Sequence, residues 1–149
     1  MIMDSLQAET LKMISQIYRR TQIYMNERMK DMELSGALAP FVMITYENGK
    51  MVQNKFCELM DMSKGTVAKT MNKLEEHGYV TRCGNVEDGR SIDVYPTDRA
   101  EEVYPYLVQA GEDWVEIMTE GMTEIERNIF LELLKKVSGN ISRHFDVLK

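Results

Sequence analysis

A mainly α-helical chain carrying one small β-hairpin is what the sequence predicts, and three observations predict it. Apolar residues recur at helical spacing over long stretches near both ends. Only one stretch, residues 79–95, has strand composition, and turn-forming residues divide it in two. The three prolines and nine glycines fall mostly where these elements would begin or stop.

Residues 4–31 read as one long helix, with Leu6, Met13, Ile17, Tyr24 and Met29 near one stripe and Ile14 and Met25 widening it. Such a broad apolar face needs a partner. Ser35-Gly36 breaks the pattern, and a second helix is expected over 36–47 with Leu38, Phe41, Val42 and Tyr46, Pro40 lying in its first turn or marking a kink. Glu47-Asn48-Gly49-Lys50 is a stop. Residues 52–60 form a short amphipathic segment with Phe56 and Leu59 as its core pair, and Asp61-Met62 links it to the next helix.

Ser63 caps that helix, its hydroxyl placed to accept the Thr66 amide hydrogen. Val67, Met71 and Leu74 at i, i+4 and i+7 face the core, and Gly78 suits the left-handed position after the helix. Tyr79–Cys83 is a strand, Asn85–Gly89 an acidic turn-rich tip, and Ser91–Tyr95 a second strand of alternating polarity. Thr97 opens another helix with Val103, Leu107, Ala110, Trp114 and Ile117 on its apolar face; Pro105 should kink it and Gly121 stop it. Thr123 and Glu126 form a capping box for the last helix, which carries Ile129, Leu133, Val137, Ile141 and Phe145.

The 149 residues are 44% apolar and 28% charged, enough for a real core and not the composition of a disordered chain. No apolar run is long enough for a membrane helix, and residues 1–5 do not resemble a signal peptide, so the expectation is a cytoplasmic protein without a membrane partner. Two cysteines, Cys57 and Cys83, are too few for a disulfide framework, and His77 and His144 have no metal-ligand spacing, so neither metal nor other cofactor is expected. No nucleophile–base motif or phosphate-binding glycine loop marks an enzyme. The net charge of −6 is unevenly spread: residues 1–49 hold five basic and six acidic side chains, residues 50–99 eight of each, and residues 100–149 five and ten. The acid is concentrated in the last third, and the middle third, with no net charge, is much less repulsive to a polyanion than that.

Residues 52–95 read as short helix, tight turn, capped helix and hairpin, a helix-turn-helix followed by a wing. In that arrangement the second helix lies in the major groove. Its polar face would be Ser63, Lys64, Gly65, Thr66, Lys69, Asn72 and Lys73, and between 63 and 73 there are three lysines and no acid. Glu75 and Glu76 come only in the last turn. This polarity suits phosphate contact. The lysines could equally be a solvated helix face; the cap, the preceding short helix and the hairpin together favour DNA.

The run Ser63-Lys64-Gly65-Thr66-Val67 through Leu74-Glu75-Glu76-His77-Gly78-Tyr79-Val80, followed by Asp88-Gly89-Arg90, resembles the MarR family of winged-helix transcriptional regulators. Pro96-Thr97 stands where that family usually has leucine-threonine. The resemblance covers nearly the whole chain and implies a winged helix-turn-helix over 35–96 with a helical dimerisation region over 1–34 and 97–149. It implies a homodimer on a near-palindromic operator in double-stranded DNA, a repressor released by a small ligand. Arg90 would enter the minor groove or touch its phosphates, Asp88 would hold the wing tip, and Arg82 could contact phosphate. Two features depart from the pattern: Glu87 and Asp88 make the tip acidic, and Val52 begins the short helix where a capping serine or threonine would be stronger.

Family members commonly sense small aromatic or lipophilic compounds, and Tyr18, Arg19 and Tyr46 could line a pocket for an aromatic carboxylate. A cysteine-based redox response is the alternative on the effector side, and a winged-helix protein–protein interaction module the alternative to DNA. Cys57 sits beside Phe56 as a small core residue would. Cys83 lies near the wing. The thirteen methionines suit an adaptable apolar site but serve as well as ordinary core filler.

Overall fold

In the computed structural model the described residues are 5–148, with the side chains of 147 and 148 left aside. Asp4, the expected start of the first helix, lies outside them. The helices are α1 (Ser5–Met29), α2 (Ala39–Asn48), α3 (Lys55–Leu59), α4 (Lys64–Glu76), α5 (Asp98–Met118) and α6 (Glu124–Leu148), and the strands are β1 (Met51–Val52), β2 (Val80–Gly84) and β3 (Ile92–Pro96). The chain divides into two compact units, Met1–Trp114 and Val115–Lys149.

The capping signals act as read. Ser63 Oγ accepts from the Thr66 amide at 3.2 Å. Thr123 and Glu126 exchange side-chain to backbone hydrogen bonds, each 3.2 Å long. Gly78 adopts φ +79°, the left-handed conformation that releases the chain from α4 toward β2. Pro40 falls in the first turn of α2, where its missing N–H has no intrahelical partner to lose. The chain continues as helix through Pro105.

Three expectations are corrected. The α1 helix gives way at Met29 to a 3-10 turn, Lys30–Met32. Val52 does not begin a helix: with Met51 it forms a third strand, and the sheet runs β1-β3-β2, all antiparallel. Backbone pairing with β3 satisfies residues 51 and 52, so α3 starts only at Lys55. Of the expected core pair, Phe56 is fully buried, but Leu59 is 50% exposed because α3 ends there after one turn and a half.

One core serves the first unit. Phe41 and Val42 of α2, Phe56 of α3, Val67, Met71 and Leu74 of α4, and Tyr79, Val80 and Val94 of the hairpin are buried together with Leu107 and Ala110 of α5. Phe41 packs tilted on Phe56 with centroids 5.1 Å apart. The end of α4 is fastened to the turn after α1. Tyr79 Oη donates to the Met32 carbonyl at 2.5 Å, Arg99 covers the Tyr79 ring at 4.5 Å and donates to the His77 carbonyl. Burial pushes the Tyr79 hydroxyl above its ordinary pKa.

In the second unit α6 buries no side chain among the described residues, while Ile125, Ile129, Leu133, Leu134, Val137, Ile141 and Phe145 remain exposed. No helix of the described residues is long and apolar enough to cross a membrane.

Candidate nucleic-acid interface

The core-facing triad Val67, Met71 and Leu74 fixes the roll of α4, and the opposite face follows from it. Ser63, Lys64, Gly65, Thr66, Lys69, Asn72 and Lys73 are all exposed. The cap satisfies an amide at the α4 N-terminus and leaves the positive end of the helix dipole at the surface beside Lys64. A Cβ built on Gly65 would meet nothing within 4 Å.

The hairpin stands directly after this helix. At its tip Asp88 Oδ1 accepts from the Arg90 amide and Oδ2 from Ser91 Oγ, both at 3.0 Å, so Asp88 shapes the turn that carries Arg90. Arg90 is exposed.

Arg82, which could contact phosphate on the sequence reading, is held by the protein's own side chains. Its guanidinium turns back onto the protein, donating to Glu75 Oε1 at 3.1 Å, to Gln53 Oε1 at 3.3 Å and to Asn72 Oδ1. Its backbone N–H donates to Glu75 Oε2 at 3.0 Å. Only 18% of the side chain is exposed. Two carbonyl oxygens and a carboxylate outcompete water for it, so in this conformation Arg82 ties α4 to β2 and the 53–54 turn and is not presented to phosphate. Asn72 lends its side-chain oxygen to that tie.

Residues missed by the sequence reading complete the wing. The alternation of β3 would turn Asp93 outward and Ile92 inward, yet Asp93 is 4% exposed and Ile92 38%. A buried carboxylate is tolerable only when paired, and Asp93 has Lys50 Nζ at 3.4 Å and the Asn85 amide at 3.1 and 3.2 Å. The Asp93 carboxylate holds the Lys50 ammonium above its ordinary pKa. The available signal was Asn85, a turn former with an amide to share.

The structure does not bring the candidate effector residues together. Tyr18 and Arg19 are exposed on α1, while Tyr46 packs on Tyr104 with centroids 4.6 Å apart. Open grooves occur among the described residues. One, of about 430 Å³, is lined by Ile44, Asn48, Lys50, Met51, Val52, Lys55 and Leu59, and another, of about 570 Å³, by Met32, Glu102, Val103 and Tyr106. None of the three residues lines either. Cys57 is half-buried against the core and Cys83 is exposed on β2. No cluster of three or more His, Cys, Asp or Glu suited to a metal occurs among the described residues.

Residues 35–91, which span α2 to the wing tip, match the MarR family. Over 141 residues the chain is 28% identical to the uncharacterized HTH-type transcriptional regulator YybA of Bacillus subtilis (strain 168), covering 95% of this chain and 94% of that one. A MarR transcriptional regulator from Methanosarcina mazei Go1 superposes with TM-score 0.84 at 26% identity, over 89% of this chain and 96% of that one. A MarR-family regulator from Listeria monocytogenes, crystallised with 26mer DNA, superposes with TM-score 0.82 at 23% identity, over 96% and 92% of the two chains. Over residues 35–91 the chain is a MarR-family winged helix. It is a transcriptional regulator with a winged-helix fold.

Proposed function

We propose that this regulator binds double-stranded DNA as a homodimer at a near-palindromic operator, and represses until a small aromatic or lipophilic ligand releases it. The observation that carries the DNA reading is the exposed face of α4. It is capped by Ser63, bears Lys64, Lys69 and Lys73, and contains no acid until Glu75. The open surface over Gly65 lets a backbone approach the helix closely, and the arginine of the wing tip is free to enter a minor groove, whose negative potential favours it. The similar Listeria protein was crystallised with DNA. Residues 35–96 would be the DNA-binding part, and 1–34 with 97–149 the dimerisation region. The exposed apolar residues of α6 support a second copy of the chain as partner. Two-fold related recognition helices would then sit about 34–36 Å apart, one turn of DNA.

The test is a titration of the full chain on duplexes selected from a random-sequence library, at several salt concentrations, with sedimentation of the free protein. Selected sites should be inverted repeats, and affinity should fall steeply with salt, by about 0.9 log units per log unit for each phosphate neutralised. Lys64→Ala and Lys69→Ala should each weaken binding and reduce the slope by about 1. Flat salt dependence would sink the lysine–phosphate contact, and a lone 17.3 kDa species at micromolar concentration would sink the dimer. Candidate aromatic acids added to the same titration test release.

A further inference from the structure

The wing tip has no core of its own. Val86, Glu87, Asp88, Gly89 and Arg90 are all exposed, so apolar burial does not fix the loop that carries Arg90. Hydrogen bonds do, and they start inside the sheet. Asp93 sits on β3 opposite Val52 of β1 and Cys83 of β2. Its two carboxylate oxygens accept from Asn85 Nδ2 at 3.1 and 3.2 Å, and Lys50 Nζ balances its charge at 3.4 Å. The other end of the same amide, Asn85 Oδ1, accepts from the backbone N–H groups of Glu87 and Asp88, each at 2.9 Å. Asp88 then accepts from the Arg90 N–H and the Ser91 hydroxyl. The series runs unbroken from a buried carboxylate to the backbone of the exposed arginine.

Only asparagine satisfies both ends of this span. Aspartate at 85 would keep the acceptor for the loop amides but set a second carboxylate against Asp93; alanine would serve neither end. We infer that Asp93 and Asn85 are a positioning pair for Arg90, the sheet carboxylate gripping the amide that shapes the wing loop before the protein meets DNA. A loop ordered in advance loses less freedom on binding. Asp93 and Asn85 thus act through Arg90 and touch no nucleic acid themselves. The consequence for affinity rests on the proposed contact of Arg90 with DNA, whereas the consequence for the loop does not.

The experiment has two arms, both on the full chain. Hydrogen exchange on the free protein compares wild type with Asn85→Ala, Asn85→Asp and Asp93→Asn. In Asn85→Ala the amides of 86–91 should exchange about five- to tenfold faster, the scale of one lost hydrogen bond, with those of α4 unchanged. Asn85→Asp, which keeps the loop acceptor but opposes Asp93, should move in the same direction and so isolates the part Asp93 plays, and Asp93→Asn, which keeps an oxygen acceptor, should move less. Should Asp93→Asn not fold, Asn85→Ala at the half-exposed tip still decides the question. The second arm titrates a duplex selected by the wild-type chain. Asn85→Ala should weaken binding, and Asn85→Ala/Arg90→Ala should bind no worse than Arg90→Ala alone. Unchanged exchange at 86–91 overturns the positioning pair, as does a loss that adds in full to that of Arg90→Ala. If Arg90→Ala binds like wild type, the groove contact fails, while faster exchange in Asn85→Ala still upholds the pair.

Discussion

The segment from α2 to the start of α5 and the last helix dispose of apolar surface in opposite ways. In the first, Phe41, Val42, Phe56, Val67, Met71, Leu74, Tyr79, Val80 and Val94 are buried by one another. In α6, Ile125, Ile129, Leu133, Leu134, Val137, Ile141 and Phe145 stay exposed although their spacing is that of a core-facing stripe. Exposed apolar surface on that scale marks an interaction face. The difference teaches that the segment from α2 to the start of α5 is stable within its own chain, whereas α6 carries the stripe that the proposed second copy would cover. A second copy is the economical choice, because one self-complementary patch then covers both stripes.

The largest effect expected from this contrast is on the self-contained side. Phe56→Ala removes a fully buried ring that packs on Phe41. It should cost roughly 3–5 kcal/mol and lower Tm by roughly 6–20 °C. Calorimetry across a range of protein concentrations should give the same loss throughout, since the cavity lies within one chain. A loss under about 1 kcal/mol would mean that the core around Phe56 is not tightly packed.

On the other side, Leu133→Ala with Val137→Ala removes two half-exposed residues one turn apart on α6. Surface changes in a monomer usually stay within about 0.5 kcal/mol. With the pair buried in a dimer, its loss should weaken self-association by about 10- to 100-fold and lower Tm at a given protein concentration. Sedimentation reads this directly, and unchanged association would leave the α6 face without its proposed occupant.

The same contrast explains what could be read from the sequence. Elements whose causes lie within a few residues were legible. The Ser63 cap, the Val67-Met71-Leu74 face, Gly78 and the Thr123–Glu126 box are each written in one turn of chain. The strand Met51–Val52 was not, because two residues carry no periodicity and their partners, Val94 and Asp93, lie some forty residues on. The inward turn of Arg82 depends on Asn72 and Glu75, across a helix-to-strand turn, and the burial of Asp93 on Lys50 and Asn85. Each needs a fold before its charges meet, so local pattern gave the opposite answer for Asp93 and no sign of the ties that hold Arg82. The exposed lysines of α4 were legible because their placement follows from the buried triad on the same helix.

A smaller expected effect sharpens the link between that helix and its cap. Ser63→Ala leaves the Thr66 amide at the start of α4 without its side-chain acceptor. It should cost about 1 kcal/mol, within the usual 0.5–2. Because Lys64 lies in the turn being loosened, affinity for a selected duplex should fall as well. Ser63→Asp restores an acceptor and should recover the melting temperature but not the binding, since it adds a negative charge where phosphate is proposed to lie. Recovery of both would take the first turn of α4 out of the interface.

The smallest effect tests the contrast within α1 itself. Its N-terminal turns expose Leu11, Ile14, Ile17 and Tyr18, while its last turns dock on α5. There Tyr24 stacks on Trp114 at 4.6 Å, Trp114 Nε1 donates to Thr21 Oγ1 at 2.8 Å, and Arg28 meets Asp113 at 2.9 Å. The Gln109 side chain first, and then the Arg28 guanidinium, hold the Asp113 carboxyl below its ordinary pKa of 3.8. A lowered pKa in the folded state means the unfolded chain binds the proton more readily, so the stabilisation is complete above the ordinary value and is lost as pH falls through the folded one. The melting temperature of wild type should therefore exceed that of Asp113→Asn by its full margin above about pH 5, and the margin should shrink as the pH drops below about 4. Both groups are exposed, so the margin is small and added salt should narrow it further. A margin that stayed constant from pH 7 down to pH 2, or that widened in acid, would mean the charge on Asp113 does not help to fasten the end of α1 to α5, leaving the Tyr24–Trp114 stack and the Thr21 hydrogen bond to hold it.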